Sequence, residues 1–211
     1  MENIFDMIER LCHDGVEQKK LEEIATINRG GNFQKKHFCE IGIPCIHYGE
    51  IYTKYGLFAD KTFSFIDSET AKKQKYASKN DIIMAVTSEN IEDVCKCVAW
   101  LGEEKIAVSG HTAIIHHNQN AKYLIYFFYS SIFQKQKIKI AHGTKVIEVT
   151  PNDLNEIVIP VPPIEIQEKI VNMLDNFIEL SELLKRESEL RQKQYDYYRE
   201  KIYSNLKGVK K

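Results

Sequence analysis

Asp93 followed by Glu103-Glu104-Lys105 is the pattern in this sequence that most invites a chemical reading. Carboxylates and a lysine at such a spacing can hold a divalent metal and orient a water for hydrolysis. With 28% charged residues the pattern arises easily, however, and Leu101–Lys105 reads as an ordinary charged hairpin turn. The histidines come next. His111, His116 and His117 border an apolar run and His142 precedes a glycine, but none has cysteine or carboxylate companions at metal-binding spacing. They fit better as donors to phosphates or base edges. No metal ligand set is expected.

Other chemistry is missing from the pattern. No G-x-G-x-x-G, G-x-x-x-x-G-K-[ST] or H-E-x-x-H element occurs. Nor is there an Asn-Pro-Pro-aromatic element of the kind used by amino-methyltransferases. Cys12, Cys39, Cys45, Cys95 and Cys97 are odd in number and form no C-x-x-C pair, which predicts free thiols in a reducing compartment. The sequence points to binding rather than catalysis.

The charge balance limits what could be bound. The net charge of −1 excludes a uniformly basic nucleic-acid binder, so a phosphate-binding surface must come from local clustering. Clusters exist at Lys35-Lys36-His37, at Lys72, Lys73, Lys75 and Lys79, and in "QKQKIKIAHGTK" from Gln134 to Lys145. Each taken alone also reads as a solvated face. The N-terminus is charged and amphipathic without a signal-peptide core, and no apolar run approaches the ~18–20 residues of a bilayer span. A cytoplasmic protein that makes no membrane contact is expected.

The elements that must position these groups are short. A helix is predicted over about Ile4–Cys12, stopped at Gly15. "KLEEIATINRGGNF" reads as a turn or strand ending in the Gly30-Gly31 loop, and "IPCIHYGEI" and "TFSFI" as short strands. "DIIMAVT" and "CKCVAWL" read as buried strands joined by the loop Ser88–Asp93, and "KIAVSGHTAIIHH" as a strand pair with Gly110 between its halves. An apolar helix is predicted from about Ala121 to Phe133, then a glycine loop at His142-Gly143, a strand at Val146–Val149 and a last strand at Ile157–Val161. Many short strands with few helices predict an α+β domain over 1–162.

After Pro163 the pattern changes. From Ile164 to Leu206 there is no glycine or proline, which predicts one helix of roughly 65 Å making up most of a helical segment over 163–211. Steps of three and four residues select Ile170, Leu174, Phe177, Ser181, Leu184, Ser188, Arg191, Tyr195, Tyr198 and Ile202. This mostly apolar seam suits a two-stranded pairing better than full burial, with Ser181, Ser188 and Arg191 weakening its middle. Two shorter helices folding back near Arg186–Glu189 are the alternative.

Several segments together resemble one family. "LCHDGVEQKKLEEIATINRGGNF" looks like the entry to a target-recognition domain, "GIPCIHYGEI" is similar to its G-I-P-hydrophobic-I strand, and "KNDIIMAVTS" to its G-D-I-hydrophobic strand. "YLIYFFYS" resembles the tyrosine-leucine helix. "HGTKVIEVTPNDLNEIVIPVPPIEIQEKIVNML" resembles the exit, the most specific piece. Asn80 and Glu22 stand where the family often has glycine. The resemblance, over nearly the whole chain and in the family's order, is to the DNA specificity (S) subunit of type I restriction–modification systems of bacterial defence.

That resemblance implies a non-catalytic protein that reads one half-site of a bipartite double-stranded DNA target and scaffolds partner subunits. The partners would be methyltransferase (M) subunits using S-adenosylmethionine and restriction (R) subunits using ATP and Mg, with no cofactor in this chain. Family members usually carry two recognition domains and two helices paired antiparallel as a spacer. One of each here implies a half-length form whose helix pairs with a second copy as an antiparallel coiled coil. Ile170, Leu174, Phe177, Leu184, Tyr195, Tyr198 and Ile202 would form the homodimer seam. A fragment that binds the methyltransferase through its helix without reading DNA is the alternative.

Base edges are read best by Arg, Lys, Asn, Gln and His, with lysines and hydroxyls on phosphates. The loop residues that fit are Arg29, Asn32, Gln34, Lys35, Lys36 and His37; Thr87, Ser88, Glu89 and Asn90; and His111 and Thr112. Lys137, Lys139, His142, Thr144 and Lys145 complete the set. The Arg29–His37 and Lys137–Lys145 segments stand out, because each joins a glycine to basic and amide or hydroxyl groups.

Overall fold

The computed structural model describes residues 3–207. The fold is α+β, with many short strands followed by a long C-terminal helix. The described residues fall into two compact units that divide after Glu168.

Two five-stranded mixed sheets build the first unit. In one, Ile82–Ala85 lies between Thr112–His117 and Cys97–Trp100, with Ala25–Arg29 and Phe58–Ala59 at the edges. In the other, Ile43–Ile46 lies between Ser64–Ile66 and Ile106–Val108, with Phe38–Cys39 and Lys75–Ala77 at the edges. Every residue of Ile82–Ala85 is buried, so both faces of this strand are covered. Alternation along it divides the load. Ile83 and Ala85 join Ile46, Val98, Trp100, Val108 and Ile114 in one core cluster. Beyond the strand Cys97–Trp100 packs the helix Ala121–Phe128, and the Tyr129 hydroxyl donates to the Cys97 carbonyl at 3.0 Å.

Three local expectations change. The apolar helix stops at Phe128, and a second helix runs over Ser131–Ile140. Ser130 takes extended geometry and its hydroxyl caps the second helix by accepting from Phe133 N, as serine does readily at such a position. "KIAVSGHTAIIHH" is not a hairpin: Ile106–Val108 and Thr112–His117 belong to different sheets, and Ser109–His111 crosses between them. A Cβ on Gly110 would sit 2.6 Å from the Gly31 carbonyl, so the two glycine loops meet only because this side chain is absent. Lastly, Tyr48–Thr53 is a helix rather than part of a strand, capped by the His47 ring accepting from Gly49 N at 3.2 Å.

The unit closes on itself. Gln18–Lys20 pairs antiparallel with Val158–Pro160, joining segments far apart in sequence. Pro160 ends that strand, where a missing N–H costs no ladder bond. The helix that follows is unbroken over Ile164–Lys207, 44 residues, which removes the fold-back alternative. Gln167 in its second turn is wholly buried within the first unit. Its Oε1 accepts from Asn120 N at 3.0 Å, and its Nε2 donates to Gln119 Oε1 and the Pro162 carbonyl. From Asn176 to Leu206 every side chain except Asp196 is exposed.

Candidate nucleic-acid interface

Four separate segments of the first unit converge on one cleft of about 450 Å³. Helix Tyr48–Thr53 supplies Tyr48 and Tyr52, and the loop after Ile82–Ala85 supplies Thr87, Ser88, Glu89, Asn90 and Asp93. His111 comes from the sheet crossover and Val146 from the glycine loop. Arg29 ties two neighbouring segments together: its Nε donates to the Gly110 carbonyl and its Nη2 pairs with Glu148 Oε1, both at 3.0 Å.

Backbone contacts hold the walls in place. Tyr48 N donates to Ser109 Oγ at 2.8 Å, and the Tyr48 and His111 rings lie 4.9 Å apart. The Tyr52 hydroxyl donates to the Thr87 carbonyl at 2.8 Å, and Thr87–Ser88 pairs antiparallel with Ile147–Glu148. Gly143 turns the opposite strand's approach with a φ of 102°, a conformation that favours glycine. His142 then closes the turn through mutual backbone bonds with Glu148.

The Ser88–Lys96 loop is fixed from both sides. On the outside, Asn90 Nδ2 donates to Asp93 Oδ2 while Asn90 Oδ1 accepts Asp93 N, and Lys96 Nζ lies 2.6 Å from Asp93 Oδ1. The Lys96 and Asn90 hydrogen bonds hold the Asp93 carboxyl below its ordinary range. From within, the Lys137 ammonium donates to the Glu92 and Val94 carbonyls at 3.0 and 3.1 Å. Burial pushes the Lys137 pKa down. Cys95, which follows, has a φ of 67°.

This geometry can recognise a polar, planar partner. The cleft offers aromatic faces, hydroxyls, a carboxylate at Glu89 and an imidazole at His111, with acceptors and donors side by side. Residues 13–192 match the type I restriction modification DNA specificity domain. The chain belongs to this family.

Individual DNA specificity proteins agree with that. The chain is 32% identical over 203 residues to the EcoR124I/EcoR124II type I specificity subunit of Escherichia coli, covering 90% of this chain and 48% of that protein. It is 25% identical over 176 residues to the MjaVIII specificity subunit of Methanocaldococcus jannaschii, covering 81% and 41%. It thus spans about half the length of these curated relatives. Among solved structures, the HsdS subunit from Thermoanaerobacter tengcongensis superposes with a TM-score of 0.59 at 18% identity, covering 87% of this chain and 44% of that one. A chain from a structure of type I R-M complex assembly and conformational transition gives a TM-score of 0.60 at 20% identity, with 87% and 45% covered. These two likenesses establish the shared fold.

Against this specificity-domain fold the sequence-based candidates divide. Thr87, Ser88, Glu89, Asn90 and His111 line the cleft, Arg29 and His142 bond to Glu148, which pairs with Thr87, and Lys35 reaches the start of helix Tyr48–Thr53. Lys36, in the short 3-10 turn Lys35–His37, and Thr144 and Lys145, in the glycine loop, are exposed. Asn32 is tied to Gln74, and Gln34 and His37 cap their own turn. Two candidates are corrected. Lys137 is on a helix, 1% exposed, with its ammonium committed to loop carbonyls, and Thr112 is fully buried with its hydroxyl on the Ser109 carbonyl. Lys139 is exposed, but on the same helix rather than in a glycine loop. Asp93 and Glu103-Glu104 border different hollows, and no metal-holding cluster of His, Cys, Asp or Glu occurs among the described residues.

Tyr48, Tyr52 and Val146 were not anticipated as cleft residues. The local signal for the two tyrosines is His47, which caps a helix where alternating apolar residues suggest a strand. Val146 carries no such signal; the chain's closure alone brings it there.

Proposed function

We propose that the first unit reads a short double-stranded DNA sequence through this cleft and its bordering loops, as one half of a bipartite target. The convergence of residues from four segments on one cleft carries the reading. Glu89 supports base reading over phosphate holding, since a carboxylate repels phosphates but accepts from cytosine N4. Lys35, Lys36 and Lys145 then supply the phosphate contacts from the rim. The chain itself is non-catalytic. Methyltransferase subunits bring S-adenosylmethionine, restriction subunits bring ATP and Mg, and the assembly works in the cytoplasm. A second copy, joined through Ile170–Ile202 of the long helix, supplies the other half-site.

The balanced charge favours one other reading, a fragment that docks on a methyltransferase without reading DNA. Selection of the full-length chain against random duplexes separates the two. An enriched short motif is expected, and alanine at Glu89 or His111 should weaken discrimination at one base by ~1–3 kcal/mol. Binding without any enriched motif would refute DNA reading.

A further inference from the structure

The two halves of the long helix differ in a complementary way. Near Ile170, Leu174 and Phe177 the seam is flanked by Val171, Met173, Ile178 and Leu180, a broad apolar face. Near Tyr195, Tyr198 and Ile202 the flanks are Gln192, Gln194, Arg199 and Lys201, with long polar stems. Ser181, Ser188 and Arg191 lie between the halves. Phe177, Leu184, Tyr195, Tyr198 and Ile202 are each more than half exposed.

We infer that two copies of this helix pair antiparallel in a single register, with the two-fold axis at the level of Arg186. The inference rests on the antiparallel pairing of copies set out above and adds its alignment. A two-fold interface is self-complementary, so each contact occurs twice. With the axis at Arg186, Ile170 faces the partner's Ile202, Leu174 the partner's Tyr198, and Phe177 the partner's Tyr195. Towards the centre, Ser181 faces the partner's Arg191 and Leu184 the partner's Ser188. The bulky apolar residues of one half meet those of the other, and the polar residues gather at the middle. On the flanks, the stems of the partner's Arg199 and the partner's Gln192 cover Val171 and Ile178. The partner's Lys201 and the partner's Gln194 cover Met173 and Leu180, with their polar ends in water.

Neighbouring alignments lose this match. One heptad further, with the axis between Glu189 and Leu190, Ser181 meets Tyr198 and Leu174 meets Asn205. One heptad back, Leu174 meets Arg191, and Tyr198 and Ile202 pass beyond the seam. A parallel pair would press Arg191 against its own copy inside the seam, a like-charge contact. In the inferred register Lys185 and Glu187 each meet their own copy at the axis, but on the flanks, so the centre is the weakest part of the rod. The two Glu168 positions lie about 54 Å apart along it.

Disulfide trapping tests the register. Differently tagged full-length chains with Cys12 and Cys39 replaced by serine are co-expressed, one carrying Leu184→Cys and the other Ser188→Cys. All four positions lie outside the buried core, so the fold is retained. Mild oxidation is expected to link the two chains into a dimer that reduction dissolves. Preferential linkage of Ser188→Cys to Arg191→Cys, or of Leu184→Cys to itself, would overturn the register or direction while leaving the pairing of copies intact. A monomer at every concentration in light scattering would overturn the pairing and the register together.

Discussion

Lys137 shows how one residue can look like a ligand contact and serve the fold instead. Its ammonium holds two carbonyls of the loop that forms one wall of the cleft. Lys137→Met leaves both carbonyls without this donor, the Val94 one buried, and a loss of about 1–3 kcal/mol in urea unfolding is expected. Hydrogen exchange should quicken in Ser88–Lys96 more than elsewhere; uniform change would contradict the loop-holding role. Burial lowers the Lys137 pKa, so the unfolded chain binds the proton more tightly. The cost of the buried cation is therefore present at neutral pH and is relieved as pH rises towards the ordinary lysine value. His47 and His117 also titrate low, chiefly through burial; Lys35 adds to the effect for His47, and Asp81 partly offsets it for His117. Both are neutral in either state above about pH 7 and give no pH dependence there. Below about pH 6.5 the unfolded chain takes up protons that the fold resists, so stability falls until the folded-state values are reached. The urea midpoint should drop between about pH 7.5 and about pH 5.5, and His117→Gln, which removes the ring whose Nε2 is buried without a partner, should shrink that drop. An undiminished drop would exclude His117 as a contributor.

Gln167 is the decisive residue at the scale of elements. It fastens the start of the long helix to the cap of helix Ala121–Phe128 and to the proline exit, using both ends of its amide. Gln167→Ala should cost about 1–3 kcal/mol by leaving buried partners unsatisfied, measured by thermal unfolding of the full chain. A change within experimental error would mean that the prolines alone set the exit. Elements with a strong local pattern were legible in the sequence: the buried runs Ile82–Ala85 and Cys97–Trp100, the first helix, and the glycine-free stretch after Pro163. What escaped was set by single caps or by closure. Ser130 divides a continuous apolar helix, His47 starts a helix inside an alternating run, and Ile106–Val108 leaves for the other sheet although Thr112–His117 follows within a few residues. Thr150-Pro151-Asn152-Asp153 did carry a readable helix signal, a capping box with proline at the first turn, and forms the short helix Pro151–Asn155. The cleft was half legible: its polar loop residues were visible as types, whereas Tyr48 and Val146 depend on which segments the sheets bring together.

At the scale of the whole molecule, the proposed reading unit is followed by a long helix whose apolar seam is exposed. If the seam holds two copies, Phe177→Glu should shift light-scattering mass from dimer towards monomer while leaving the unfolding of the first unit unchanged. A dimer of undiminished stability would place the contact elsewhere. Two identical reading units related by a two-fold axis must read the same short sequence on opposite strands, with a gap of constant length between them. The most direct measurement is therefore to co-express the full chain with the methyltransferase subunit of a type I system that accepts it, and to map methyl-adenine across the host genome. Methylation at one interrupted palindrome with a fixed gap is expected. Methylation at an asymmetric site, or at no defined sequence, would contradict it.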